Sequence, residues 1–160
     1  MTDNRIAYLD TSVLAKWYLA EPNSEQVSDY IISLDSAVIS TLTKTEMRCL
    51  LARRKRMLEF GADLEGQIYA TFLDDIAQGH LTLQKVEDKH LESAANLISI
   101  LPEHALRTLD ALHLAIAQHH GLQLIATADK LLASAAEALG FKVNLFDSFN
   151  VQNDLLKWIS

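Results

Sequence analysis

The sequence is short of cysteine, proline, glycine and positive charge, and it has no apolar run approaching the length of a membrane span. Each shortage excludes something. Cys49 is the only cysteine, so no disulfide can form within the chain, which suits a reducing cytoplasm. Its neighbours Met47, Leu50 and Leu51 mark it as a packing residue. Two Pro, five Gly and no low-complexity stretch leave no linker, and there is no internal repeat. Lys and Arg number 14 against 21 Asp and Glu, a formal net charge of −7. That excludes a general nucleic-acid coat, which needs basic surface to displace counterions, but not an enzyme that grips nucleic acid locally. The first residues are polar and lack a secretory apolar core, so the expected location is cytoplasmic with no membrane partner. The six His are scattered without HExxH or Cys/His spacing, which argues against zinc. There is also no Gly-rich phosphate loop, no GxSxG and no Cys/His catalytic pairing.

What is present is a chain of 160 residues with 49% hydrophobic and 22% charged residues, enough to bury the core of one globular domain. Short apolar runs read as strands at 6–9, 36–40, 81–86, 122–127 and 141–146. Helical spacing fills the intervals. Val27, Tyr30, Ile31 and Leu34 form a stripe behind a Ser24 N-cap, and Leu64, Ile68, Phe72, Leu73 and Ile76 form another that stops at Gly79. Gly121 and Gly140 close two later helices. Strands alternating with helices predict a three-layer α/β/α domain on a mainly parallel sheet of about five short strands. The domain is expected over 1–149, and residues 150–160, with Leu155, Leu156, Trp158 and Ile159, are expected to form a docking helix.

The run "IAYLDTS" raises the functional question, because an apolar strand ends on Asp10 and is followed by Thr11 and Ser12. An Asp there can simply cap the next helix. It can also be a ligand or catalytic group at the carboxyl edge of a parallel sheet. Glu46, Asp110 and Asp129 stand at or near comparable strand-to-helix transitions. Asp129 could be a cap, and Glu46 could complement a helix dipole. Asp110 lies in a helix with Leu106, Leu109, Leu112, Leu114 and Ile116, where an acid is costly unless paired or metal-bound; Arg107, one turn earlier, is the structural rival for it. Spacing alone leaves four caps and one cluster equally open. A cluster would suit Mg²⁺ or Mn²⁺, hard cations that take oxygen ligands, and two such ions about 3.5–4 Å apart can drive phosphodiester hydrolysis.

The segments "YLDTSVLAKWY", "ISTLTKTEMRCLLAR", "RTLDALHLAIAQHHG" and "LIATADKLLASAAEALGFKV", in this order and spacing, resemble PIN domains, specifically the VapC toxins of bacterial type II toxin–antitoxin systems. The resemblance covers nearly the whole chain. It implies a ribonuclease in which Asp10, Glu46, Asp110 and Asp129 hold Mg²⁺ or Mn²⁺. It implies supporting hydroxyls at Thr11 and Thr127, and an Arg107 that orients Asp110 or touches phosphate. RNA as substrate, a cognate antitoxin that blocks the site, and a homodimer are the implied partners. Where some PIN nucleases carry a further Asp, this chain has Lys130, Leu131 and Leu132.

Several signals stay weaker. "RRKR" at 53–56 could grip RNA or be a solvated helix end. His113 reads as a satisfied core histidine, His119 and His120 suit a helix C-terminus, and Trp17 and Tyr18 read as core or dimer contacts. Asp147 reads as surface loop. Two other functions compete: a non-catalytic PIN-like module that binds antitoxin or RNA, and an Asp-nucleophile phosphatase of haloacid-dehalogenase type. The phosphatase wants a second Asp two residues after Asp10, where Ser12 stands.

Overall fold

The computed structural model describes residues 4–147. Five strands, β1 (Ile6–Leu9), β2 (Ser36–Ser40), β3 (Thr82–Gln84), β4 (Leu124–Thr127) and β5 (Lys142–Leu145), form one sheet in the order β3-β2-β1-β4-β5. Every pairing is parallel: Ala7 lies opposite Ala37 on one side and Leu124 on the other. Parallel strands need crossovers, supplied here by α1 (Thr11–Tyr18), α2 (Ser24–Ile32), α3 (Thr41–Arg56), α4 (Ala62–Ala77), α5 (Asp88–Ile100), α6 (Thr108–His119) and α7 (Lys130–Ala138). The expected α/β/α layering is therefore observed.

Residues of opposite parity on the strands feed two cores. Tyr8, Val38 and Ile125 pack with Ala94, Leu97, Leu114, Leu132 and Ala136 of α5, α6 and α7. Leu9, Ala37, Ile39 and Ala126 pack with Val13, Val27, Met47 and Phe72 of the first four helices. Sandwiched strands explain the near-continuous apolar runs. Helix α6 is buried from Asp110 to Ala117, so it is enclosed on nearly every side. It stops at Gly121, whose φ of 64° suits a left-handed closing turn.

The chain climbs β1, β2 and β3 in one direction, then returns to place β4 on the other side of β1. That reversal opens a crevice at the carboxyl ends of β1 and β4, the usual ligand position in open parallel sheets.

Several local expectations need correction. Asn23, at φ 70°, is the N-cap of α2; the Ser24 hydroxyl instead ties the preceding turn, accepting from the Glu21 N–H and donating to the Leu19 carbonyl. Leu64 and Leu73 are exposed, because α4 buries a narrow stripe centred on Phe72. Cys49 is exposed rather than packed, since α3 turns Met47 and Leu51 inward. Asp147 is buried, not a surface-loop acid, and its carboxylate meets Lys130 Nζ at 3.0 Å. The expected strands at 81–86, 122–127 and 141–146 are shorter at their ends. The expected docking helix at 150–160 lies outside the described residues. Trp17 and Tyr18 pack against the second core, with Tyr18 edge-on to Phe72. Among the described residues no helix is long and apolar enough to cross a membrane.

Candidate active site

Asp10 occupies the N-cap position of α1, yet its side chain makes no capping bond. Its carbonyl starts the helix, accepting from the Val13 and Leu14 N–H groups. Its carboxylate instead accepts from the Ser12 hydroxyl at 2.7 Å and the Thr127 hydroxyl at 2.8 Å. The Ser12 hydroxyl in turn accepts from the Ala128 N–H, so β1–α1 and β4–α7 are laced together at the carboxylate. The Asp10 carboxylate thus serves the Ser12 and Thr127 hydroxyls and not the free N–H groups of α1.

Glu46 comes from the second turn of α3. Its Oε1 accepts from the Thr11 hydroxyl at 3.0 Å and lies 2.5 Å from His113 Nε2. His113 is 2% exposed. Its Nδ1 lies 2.5 Å from the Tyr8 hydroxyl, which donates to Ser40 Oγ, and its Nε2 lies 3.8 Å from Asp10. Burial disfavours the imidazolium, but the Glu46 hydrogen bond and the charges of Asp10, Glu46 and Asp110 outweigh it, so the His113 pKa is raised. Glu46 answers in the opposite direction. Burial pushes its pKa up, but His113 and the Thr11 hydrogen bond overcome that and hold it below the usual range. Burial also raises the Tyr8 pKa, keeping a neutral hydroxyl. The sequence reading of His113 as a satisfied core residue holds as far as it went. It missed that the satisfying partner is Glu46. The available signal was its position three residues after Asp110 on the same buried helix.

Asp110 and Asp129 are held differently. Asp110, near the start of α6, accepts from the backbone N–H and Nε of Arg107, both at 3.2 Å. Arg107 Nη2 reaches Asp129 at 3.0 Å. Asp129 also caps α7 by accepting from the Leu131 N–H, and its own N–H donates to Thr127 Oγ1. Both plain readings, the cap for Asp129 and the ion pair for Asp110, are therefore real. They coexist with convergence: Asp10, Glu46, Asp110 and Asp129 line one groove of about 690 Å³, together with Leu42, Cys49, Leu50, Arg53, Arg107 and Leu109. Asp147 does not line it.

The four carboxylates and the neighbouring hydroxyls of Thr11 and Ser12 are oxygen donors, which is the chemistry of a hard divalent ion, and the exposed Cys49 thiol lines the same groove. Among the described residues, no three acids, His or Cys stand in a metal-holding arrangement. Glu46 is turned onto His113, and Arg107 lies across Asp110 and Asp129.

Residues 7–138 match the model of the PIN domain. The chain belongs to the PIN-domain family. It is similar to ribonuclease VapC46 of Mycobacterium tuberculosis, 33% identical over 139 residues that cover 85% of this chain and 94% of that protein. PIN-fold structures superpose on it at lower identity. VapC20 of M. tuberculosis, a sarcin–ricin loop cleaving toxin, aligns with a TM-score of 0.67 at 20% identity, covering 85% of this chain and 96% of that one. VapBC-5 of the same organism, a member of the VapBC family of toxin–antitoxin systems, aligns with a TM-score of 0.60 at 22% identity, covering 88% and 98%. At the family level, this PIN domain stands among VapC-type toxin ribonucleases, which are hydrolases.

Proposed function

We propose that the protein is a divalent-metal-dependent endoribonuclease and the toxin of a type II toxin–antitoxin pair. The observation that carries this reading is the arrival of Asp10, Glu46, Asp110 and Asp129 in one groove at the switch point of the sheet. Asp10, Glu46 and Asp110 would hold Mg²⁺ or Mn²⁺, with Asp129 binding directly or through water. Such an ion supplies a water of lowered pKa and a Lewis acid for phosphodiester oxygens. The chain's own residues do the rest. Ser12 and Thr127 fix the rotamer of Asp10, and His113 and Thr11 orient Glu46 and keep it ionised. Arg107 stands exposed at the mouth, where its Nε and Nη2 hold the carboxylates of Asp110 and Asp129. RNA is the substrate. Relatives that belong to toxin–antitoxin systems support a protein antitoxin as partner, and a homodimer is part of the same reading.

One observation favours a second reading, a non-catalytic module that binds RNA or antitoxin. Arg107 already neutralises two of the four acids, as a retired site would allow. The deciding experiment is cleavage of total RNA by the purified protein in Mg²⁺ or Mn²⁺, beside Asp10→Ala and an EDTA control. Metal-dependent cutting lost in the variant is expected. Absence of both cutting and Mn²⁺ binding would favour the second reading.

A further inference from the structure

The basic run at the end of α3 divides by the direction in which its residues face. Arg54 is ion-paired with Glu21 and Glu59, and Lys55 with the buried Glu65. Arg53 and Arg56 are exposed and form no ion pair among the described residues. Of these two, only Arg53 lines the acidic groove. The reason is helical spacing: Glu46, Cys49, Leu50 and Arg53 fall three, four and seven residues apart, on one face. Arg53 therefore stands two turns, about 10 Å, along the groove wall from Glu46.

We infer that Arg53 binds the RNA backbone beside the four carboxylates. The inference rests on the ribonuclease reading. A chain of net charge −7 cannot hold RNA by its general field, so phosphate contacts must be local. Two arginines bracket the acids, but the charge of Arg107 is spent on Asp110 and Asp129. Arg53 supplies an uncommitted guanidinium of the geometry that takes phosphate in two hydrogen bonds. The groove lining also includes the apolar side chains of Leu42, Leu50 and the exposed Leu109. That surface suits unpaired bases more than phosphates, as in a single-stranded loop.

The test compares wild type with Arg53→Ala, Arg53→Lys and Arg56→Ala. Cleavage of total RNA in Mn²⁺ gives KM and kcat. Binding of a short labelled oligouridylate, with Ca²⁺ replacing Mn²⁺, gives the salt dependence. Arg53→Ala should raise KM about tenfold with kcat nearly unchanged. It should also lower the slope of log affinity against log salt by about one. Arg53→Lys should recover part of the affinity, and Arg56→Ala should match wild type. An active wild type with an unaltered Arg53→Ala overturns the inference alone. Equal losses in Arg53→Ala and Arg56→Ala also overturn it, because the run would then act as undirected charge. A wild type that binds Mn²⁺ but neither cuts nor binds RNA overturns the ribonuclease reading, and the inference with it.

Discussion

Asp10 and Glu46 are held by hydroxyls and a buried histidine, whereas Asp110 and Asp129 share one exposed guanidinium. Depth is not the difference, since Asp10 and Asp110 are both 8% exposed. The difference lies in what the partners cost to move. Thr127 and His113 are buried and cannot leave without opening the core, and the partly buried Ser12 is tied to the Ala128 N–H. The Arg107 side chain is 72% exposed, and an ion pair at such a surface contributes about 0–1 kcal/mol. One pair of carboxylates is thus preorganised by the fold, and the other is parked on a replaceable cation. The four acids are kept in one groove by two different kinds of partner.

The largest effect tests whether both pairs belong to the same centre. Asp10→Asn and Asp110→Asn preserve shape and should leave the thermal melt nearly unchanged. Each should cut RNA cleavage by about 10³-fold, the equivalent of several kcal/mol of transition-state stabilisation. A loss confined to Asp10→Asn would separate the pairs. Next comes His113→Phe, which leaves Glu46 with the Thr11 hydroxyl and the Tyr8 hydroxyl with Ser40 but deprives both of the imidazole. Mn²⁺ affinity, measured calorimetrically, should fall about 10- to 100-fold, as for other groups that orient a ligand. The melt should report about 1–3 kcal/mol of lost stability from the lost buried hydrogen bonds. Lost stability with unchanged Mn²⁺ affinity would return His113 to a purely structural role.

Much of this arrangement was legible in the sequence, for physical reasons that also mark the limit. The strand positions followed from apolar runs, because strands covered on both faces must be apolar throughout. Asp10 and Asp129 stood out because they follow apolar strands at ends that a parallel sheet gathers on one edge, and Glu46 because it lies early in the helix after β2, whereas Asp110 stood out as an acid in an apolar helix, α6, which follows α5 and not a strand. Direction around a helix was harder to read. Cys49 looked internal among Met47, Leu50 and Leu51, yet α3 buries Met47 and Leu51 and turns Cys49 outward. The same rotation singles out Arg53 from its basic neighbours, which composition alone cannot do. The His113–Glu46 contact joins residues 67 positions apart and depends on tertiary packing. Local reading could find each residue but not the bond.

Thr127 offers a smaller test, because it joins the two pairs. Its hydroxyl donates to Asp10 and accepts from the Asp129 N–H. Thr127→Val keeps the branched shape and deletes both bonds, each worth about 0.5–1.5 kcal/mol. Cleavage should fall by about tenfold, and Asp110→Asn added to it should give less than the product of the separate losses if the pairs act together. Strictly multiplicative losses would mean that the hydroxyl serves Asp10 alone.

The smallest effect carries the opposite sign, and so discriminates most sharply. Arg107→Ala removes an exposed side chain, so the melt should move by no more than about 1 kcal/mol. The two carboxylates it releases no longer share a resident cation. If the guanidinium merely occupies their charge, Mn²⁺ should bind up to about fivefold more tightly, which is the same 1 kcal/mol returned as affinity. His113→Phe and Arg107→Ala would then shift one titration in opposite directions, although each removes a partner of two of the four acids. A weaker Mn²⁺ affinity in Arg107→Ala would mean that the guanidinium positions Asp110 and Asp129 as His113 positions Glu46. The two pairs would then be built alike, by fixed partners, and the exposed arginine would be part of the scaffold of the site.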